Sequence, residues 1–462
     1  STSAQSMILT NMTFNTLNYI DPDTGEICPE LATSWENVDG DNSVWEIKLV
    51  ENAVFHTGEK FTAEDVKFTF EYVSPQAGNV VKSLAVAKEV ESMEIVNDYT
   101  IRFKLTRPMP DFPSYLETKM YSKKAFDTMG AEEAGVIGTG PYYFDKELTQ
   151  SGAQFACSRF DDYWEGIEEH PTEHIVFKVI ADENTRIAAL EIGELDFIID
   201  VSASAYSTLE DISDVEIQTR SGANSYYLGF NYTKDYMKDL EVRTALTQAI
   251  NKEDITNVAF VNGIGGVVSE NFCVASAAGY AEVNPIAYNA DKAKATLEAK
   301  GITSKKLVLA TYPSNVPIAE VVQANLAAIG VEVVVKQVDL ANWSAFKSAK
   351  QDYDLFIDYC AYQGALMYNF DRFFSSEGSS NLYGYSNAEY DKMQAYVLDA
   401  STYEEMVERF GELQQWVATN IPISPLVVKT QIAATKEDVK GFKLIPSKNY
   451  FDFSTVYIPA RN

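Results

Sequence analysis

Across residues 44–50 the apolar side chains Trp45, Ile47 and Leu49 alternate with Val44, Glu46 and Lys48, and Asp39-Gly40 just upstream supplies a turn. A period of two marks a strand with one buried face. The same period returns at Ile101, Phe103 and Leu105, with Arg102 and Lys104 on the opposite face, until Pro108 stops it. Between these runs Thr62-Ala-Glu-Asp65 has the spacing of a capping box, and Val66, Phe70 and Val73 fall on one helical face. The pattern predicts a helix, ended by Pro75, packed on a small antiparallel sheet.

Beyond Gly140-Pro141 the pattern changes. An apolar run over residues 175–180, a helical stretch through Ile187 and Leu190 to Gly193, and a second apolar run over 197–199 give a β-α-β signature. Asp239 can cap a helix whose Val242, Ala245, Leu246, Ala249 and Ile250 form one stripe. A helix ending at Gly301, a strand over 307–309, a helix over 317–329 and a strand over 331–335 follow. Pro317 suits the first turn of that last helix and Gly330 the position past its end. The reading is α/β with crossover connections and no repeat of fixed period.

The chain has 462 residues, enough for two or three packed units. Its 37 Lys and Arg against 67 Asp and Glu give a formal charge of −30, which repels phosphate backbones and argues against nucleic acid as a partner. No stretch approaches the ~18 apolar residues of a membrane-spanning helix. Residues 1–7 lack a basic region followed by an apolar one, so any export signal is expected to have been removed.

Cys28, Cys157, Cys273 and Cys360 are scattered without a C-x-x-C pair, which removes support for zinc or dithiol chemistry. Isolated thiols are expected, and any disulfide connectivity stays open. His170 and His174 have i, i+4 spacing, but Pro171 between them opposes a helix presenting both rings, so they read as loop residues and not as a metal pair. His56 reads as structural. There is no G-x-S-x-G, and Gly135, Gly138 and Gly140 match neither a dinucleotide fingerprint nor a phosphate loop. No cofactor is implied. A glycan- or peptide-cleaving carboxylate pair stays open, because sequence does not give separations.

Read in order, the segments resemble the oligopeptide- and dipeptide-binding family, the substrate-binding proteins of peptide-type ABC transporters. The likeness is carried by residues 21–35, by Phe55-His-Thr-Gly58 with Phe61-Thr-Ala-Glu-Asp-Val66, and by Gly138-Thr-Gly-Pro-Tyr142. It continues through Asp162-Tyr-Trp164, Phe230-Asn231, Val242-Arg-Thr-Ala-Leu246, Ala249-Ile-Asn-Lys252 and Gly441-Phe442. The resemblance implies a two-lobed α/β fold of the periplasmic-binding-protein type (type II, cluster C), with an extra α+β subdomain in the first lobe. The first lobe is expected over residues 1–17, 138–230 and 430–462, the extra subdomain over 18–137 and the second lobe over 231–429. Chain crossings are expected near 228–232 and 425–430. It also implies a monomer outside the cytoplasm, in the periplasm or lipid-anchored at the outer face of the membrane, that closes on a ligand and hands it to permease subunits.

Two departures from the family stand out. Its members carry a further strand before the stretch resembling residues 11–21, and no such strand is expected in residues 1–10, so either the sequence starts after it or the first lobe is built differently. Peptide binders also place an Asp for the ligand's α-amino group just after the second-lobe strand, and Asp358-Tyr-Cys-Ala-Tyr362 has Tyr362 at that place. If Phe373-Phe374 set the register instead, the place falls on Asn369, with Asp371 the nearest carboxylate. Neither register supplies the acid, and a buried ammonium without a partner costs several kcal/mol, about 3–5 when one member of a pair is removed. An N-blocked or longer peptide, or another polar solute such as a sugar, then becomes the alternative ligand.

Candidate ligand contacts follow from these segments and from the aromatic run Tyr359, Tyr362, Tyr368, Phe370, Phe373, Phe374. A ring with a hydroxyl suits a cleft that dehydrates a polar ligand. The expected set is Tyr359, Cys360, Ala361, Tyr362, Tyr368, Asn369, Asp371, Tyr226, Tyr227 and Tyr383. Phe373 and Phe374 are expected in the core, and Tyr385 and Trp343 fit either place.

Overall fold

The computed structural model describes residues 4–21, 24–73, 89–362, 365–445 and 450–459. Two long antiparallel strands, Val215–Phe230 and Ile423–Lys436, link two α/β units. Their register runs from Val215↔Lys436 to Ser221↔Thr430, breaks, and resumes at Ser225↔Val428. Such a break bends the ladder locally.

On one side of the break, Ile217, Ile432 and Ala434 pack with Ile187, Leu190 and Leu209. On the other, Ala223, Tyr227, Leu228 and Phe230 join the apolar cluster of the second unit. The chain therefore passes between units at residues 221–225 and 428–430. Ala223, Tyr227, Leu228 and Phe230 pack with residues of helix Leu240–Gln248 and strand Leu355–Ala361 in that cluster. Alternation along one continuous strand does not reveal where it leaves one core for another.

In the second unit the sheet continues from Val215–Phe230 to Leu355–Ala361, Lys306–Thr311 and Glu332–Gln337, the last three parallel. The helix Val316–Ala328 forms one crossover, with Pro317 in its first turn and Gly330, at φ +86°, past its end. Helix Leu240–Gln248 is capped by Asp239, whose Oδ1 accepts from Glu241 N–H at 2.9 Å. Its Val242, Ala245 and Leu246 are buried as the stripe predicts.

The extra subdomain holds a four-stranded antiparallel sheet in the order Ala32–Asn37, Val44–Leu49, Thr100–Leu105, Val90–Asn97. Ile47 pairs with Ile101, and the alternating apolar side chains of both strands are buried. Helix Ala63–Phe68 lies on it, with Thr62 N–H donating to Asp65 Oδ2 at 2.9 Å. Pro75 and the side chain of Val73 lie outside the described residues.

The β-α-β expectation is met only in part. Strand His174–Lys178, helix Glu183–Glu191 and strand Phe197–Ile198 all form, yet the strands belong to different sheets. The first pairs with Gln154–Arg159 and the second with Ile423–Lys436. An apolar groove of about 480 Å³ lies between them.

Several of the motifs that carry the family resemblance, those holding Glu30, His56, Gly138–Gly140 and Trp164, meet where the extra subdomain joins the first unit. Asn15, 5% exposed, takes a hydrogen bond from Thr139 Oγ1 at 3.0 Å and from Trp164 Nε1 at 3.1 Å, and gives one to Glu30 Oε1 at 2.8 Å. A Cβ on Gly138 would lie 2.1 Å from the Thr13 carbonyl oxygen, and one on Gly140 2.6 Å from that of Met12, so this close approach requires glycine. His56 bridges the two glycines, its Nδ1 accepting from Gly138 N–H at 3.3 Å and its Nε2–H donating to Gly140 O at 3.0 Å.

Both His56 bonds use the neutral ring, and burial holds its pKa down at about 4. Its contribution to stability is complete above about pH 6.5 and is lost as the pH falls towards 4, a change of about 3 kcal/mol. Asp65 and Asp111, raised to about 6 by burial, act oppositely: their contribution is complete below about pH 3.8 and is lost as the pH rises through 6. The informative quantity is thus a difference. Urea midpoints at pH 7 and 4.5 should fall less on acidification in His56→Gln than in the wild type, and equal falls would refute the assignment.

Candidate functional site

Two surfaces flank the passage between the units. On the first-unit side, a cavity of about 1040 Å³ is walled by the end of helix Ala4–Thr13 and the hairpin strand Asn18–Ile20. Gln218, Thr219 and Arg220 of the crossing strand and the strand Lys443–Ile445 complete it. Its lining carries both signs of charge: Asp21, Glu30, Glu165, Glu169 and Asp452 against Lys119, Arg220 and Lys443. Glu30 is fixed by Thr16 N–H at 2.7 Å, Glu165 accepts from Tyr163 OH at 2.6 Å, and Arg220 Nη1 donates to Leu444 O at 3.3 Å. Burial and the Glu165 charge push the Tyr163 hydroxyl well up, so it acts there as a donor.

On the second-unit side, beyond the register break, Tyr226 pairs across the strands with Tyr359 and Asn224 with Ala361. The two tyrosine rings are 5.6 Å apart, and Tyr226 also meets Phe260 at 5.8 Å. Tyr359 is 39% exposed, Ala361 is exposed and Tyr226 half-buried, so these residues form an aromatic shelf. Burial raises the Tyr226 hydroxyl to about 12. The strand Leu355–Ala361 pairs on its outer edge with Lys306–Thr311 only at Leu355 and Phe356. From Ile357 to Ala361 that edge has no strand partner among the described residues.

Of the expected contacts, Tyr226, Tyr359 and Ala361 come together on this shelf. Alternation sends their neighbours the other way: Tyr227, Cys360 and Tyr362 are 1, 2 and 4% exposed and lie in the second-unit core. Tyr362 packs against Phe272, its N–H bonded to Ala223 O at 2.8 Å, so it does not stand in the cleft in place of an acid. Tyr383 is 1% exposed and satisfies its hydroxyl on Phe373 O at 2.6 Å, which makes it a core residue. Asn369 is fully buried beside Cys360 Sγ. Asp371 is exposed but accepts from Gln394 Nε2 at 2.7 Å, and Tyr368 packs into the apolar cluster of the extra subdomain. Phe373 and Phe374 are core, as expected, and Tyr385 and Trp343 join them.

Beneath the shelf sits a charged cluster that sequence reasoning did not single out. Asp358 pairs with Lys347, accepts from Trp343 Nε1 at 2.9 Å and caps the Tyr359 N–H at 2.9 Å. Trp343 thus serves the strand from below. None of the expected contacts lines the large cavity; motif residues such as Glu30, Tyr163 and Phe442 do line it, but nothing in the chain marks them as facing one space because they come from distant segments.

His170 and His174 do not share a site. His170 lies in a loop but is only 8% exposed and bonds Ser454 O at 2.7 Å, while His174, against expectation, opens the strand His174–Lys178 and bonds Ser158 Oγ at 2.8 Å. No group of metal-holding side chains occurs among the described residues. The four cysteines are unbridged, and burial raises the thiols of Cys157, Cys273 and Cys360 to about 12.

Comparison with known proteins adds three relatives and a family model. The model described as bacterial extracellular solute-binding proteins, family 5 Middle, matches residues 26–381. The peptide transport periplasmic protein SapA of Salmonella typhimurium is 26% identical over 93% of this chain and 84% of its own length. The oligopeptide-binding protein AppA of Bacillus subtilis is 27% identical over 91% of this chain and 82% of its own. Its structure in complex with a nonapeptide superposes with a TM-score of 0.76, at 25% identity, over 99% of this chain and 95% of that one. The ABC transporter substrate binding protein CtaP of Listeria monocytogenes has a TM-score of 0.88 at 22% identity, covering 99% and 95% of the two chains, and shares the fold.

Proposed function

Because this chain belongs to the bacterial extracellular solute-binding proteins of family 5, whose model spans residues 26–381, we propose that it captures peptides between its two units and delivers them to the permease of an ABC transporter. It is a transport binding protein and not an enzyme, and it works outside the cytoplasm. No helix among the described residues is long and apolar enough to cross a membrane. A lipid anchor and a monomeric state complete the proposal. So does the division into a first lobe, an extra subdomain near residues 18–137 and a second lobe, with the passage at 221–225.

The observation that carries the peptide reading is the Tyr226–Tyr359 shelf at the exposed end of strand Leu355–Ala361, whose outer edge has no strand partner past Phe356 among the described residues, with Ile357 O bonded to Thr311 Oγ1 and Tyr359 N–H to the Asp358 carboxylate. A strand end without a neighbouring strand leaves room for an extended peptide to add main-chain hydrogen bonds that ignore sequence, and an aromatic shelf holds varied side chains. The charged cavity across the passage offers both signs to the ligand's charged side chains. AppA of Bacillus subtilis, with its bound nonapeptide, supports the same reading.

The carboxylate of the shelf strand, Asp358, is already neutralised by Lys347 below the strand. The strand therefore provides no counter-charge for a ligand's α-amino group. Thermal-shift screening should show stabilisation by peptides of several residues, about 2.7 kcal/mol at 100 times the dissociation constant, and N-acetylation should leave it unchanged. Stabilisation by oligosaccharides with none by any peptide would overturn the peptide reading. Tyr359→Ala should weaken a peptide found in that screen about tenfold, with stability unchanged within about 0.5 kcal/mol because the ring is 39% exposed. Unaltered affinity would remove the shelf from the site.

A further inference from the structure

The contact between the extra subdomain and the second unit has a composition that binding does not explain. Tyr368 and Ala365 come from the second unit, yet they belong to the apolar cluster built by Trp45, Phe112 and Leu116 of the extra subdomain. Ala365 is fully buried and Tyr368 is 9% exposed. The Arg372 guanidinium lies 5.1 Å over the Tyr368 ring and 5.6 Å over Phe373, which is in the second unit's own core. One cation thus ties a ring seated in the extra subdomain to the core of the opposite unit. Two further contacts join the same partners: Asn42 Nδ2 donates to Ser401 O at 2.8 Å, and Gly25 lies against Ala278. None of these residues lines the large cavity or the aromatic shelf.

We infer that Tyr368 sets the ligand affinity of this protein without touching the ligand, by latching the second unit to the extra subdomain and so fixing the fraction of molecules that are closed before a ligand arrives. The inference rests on the binding role proposed above. Opening about residues 221–225 and 428–430 withdraws Tyr368 and Ala365 from the subdomain core and exposes apolar surface on both sides. A protein whose competent form is only partly populated binds with its intrinsic affinity reduced by that fraction. A side chain that holds the units together therefore governs apparent affinity for every ligand alike, whereas a shelf residue discriminates among ligands.

Opening is read without any ligand. Spin labels on Val38→Cys of the extra subdomain and Tyr288→Cys of the second unit, positions 44% and 54% exposed, report the separation by double electron–electron resonance in a Cys28→Ser background. Tyr368→Ala should add a longer-distance population absent from the parent, raising the open fraction about tenfold, and Tyr368→Phe should restore the parent distribution. Asn42→Gly keeps the backbone at φ +65° and removes the amide, so it should shift the distribution in the same direction by less. Superimposable distributions for the parent and a folded Tyr368→Ala protein would overturn the inference, as would an equal shift in Tyr368→Phe. If Tyr368→Ala does not fold, an unchanged distribution in Asn42→Gly overturns it. Failure here leaves the peptide reading untouched, since no peptide enters the measurement.

Discussion

Asp358→Ala should lower the stability of the protein by about 3–5 kcal/mol, the cost of leaving a buried partner charge uncompensated. The Lys347 and Asp358 side chains are 8% and 10% exposed. Lys347 also lies over the rings of Trp343, at 5.3 Å, and Phe356, at 5.5 Å, so its ammonium cannot reach water without unpacking them. The same substitution strands Trp343 Nε1 and frees the Tyr359 N–H, each now satisfied at 2.9 Å. The paired variant Lys347→Met with Asp358→Leu should lose much less, because replacing both charges removes the desolvation penalty along with the attraction. Denaturant midpoints of the three proteins decide the matter. A single variant no worse than the double one would show that the ammonium finds another partner.

Gly441→Ala should cost more than about 4 kcal/mol, among the largest effects of a single methyl group. Gly441 has φ +75°, where an L-residue is strained by about 1–3 kcal/mol. The new Cβ would also lie 1.9 Å from the Thr455 carbonyl oxygen and 2.6 Å from its carbon. That carbonyl cannot swing aside, because Thr455 Oγ1 bonds Gly441 O at 2.7 Å and Lys440 exchanges backbone hydrogen bonds with Tyr457 at 2.8 and 2.9 Å. Circular dichroism melts should show early unfolding or no soluble product. A variant that melts like the wild type would mean the 440–457 pairing opens at little cost.

The same Gly441 illustrates what the sequence could convey. As part of a Gly-Phe pair it was recognisable as a family feature, but its reason, a backbone carbonyl at clash distance, is a tertiary fact. Periodicity was more direct: Trp45, Ile47 and Leu49 and their partners Ile101 and Phe103 announced both strands, their buried faces and their pairing. The Asp239 cap and the Pro317–Gly330 boundaries were legible because each depends on a few adjacent residues. Along 358–362 periodicity is not decisive. Both faces of that strand carry a tyrosine, so a period of two separates Tyr359 from Tyr362 without saying which of them faces the core. Tyr368 deceived for a related reason: an aromatic beside a candidate cleft looks like a ligand contact until the subdomain that receives it is seen. The two runs around residues 175–180 and 197–199 were correctly read as strands, yet only the fold shows that they join different sheets.

The two strands that cross between the units are 16 and 14 residues long, and each spends part of its length in either core. Hydrogen-bonded ladders of that kind tie the cohesion of one half to that of its neighbour, because melting either core frays the rails on which the other is built. Calorimetry of a protein of this size would ordinarily resolve separate endotherms for separate halves. Here the shared rails favour one merged endotherm, and a lesion in either half should be felt as a loss of heat resistance by the whole molecule.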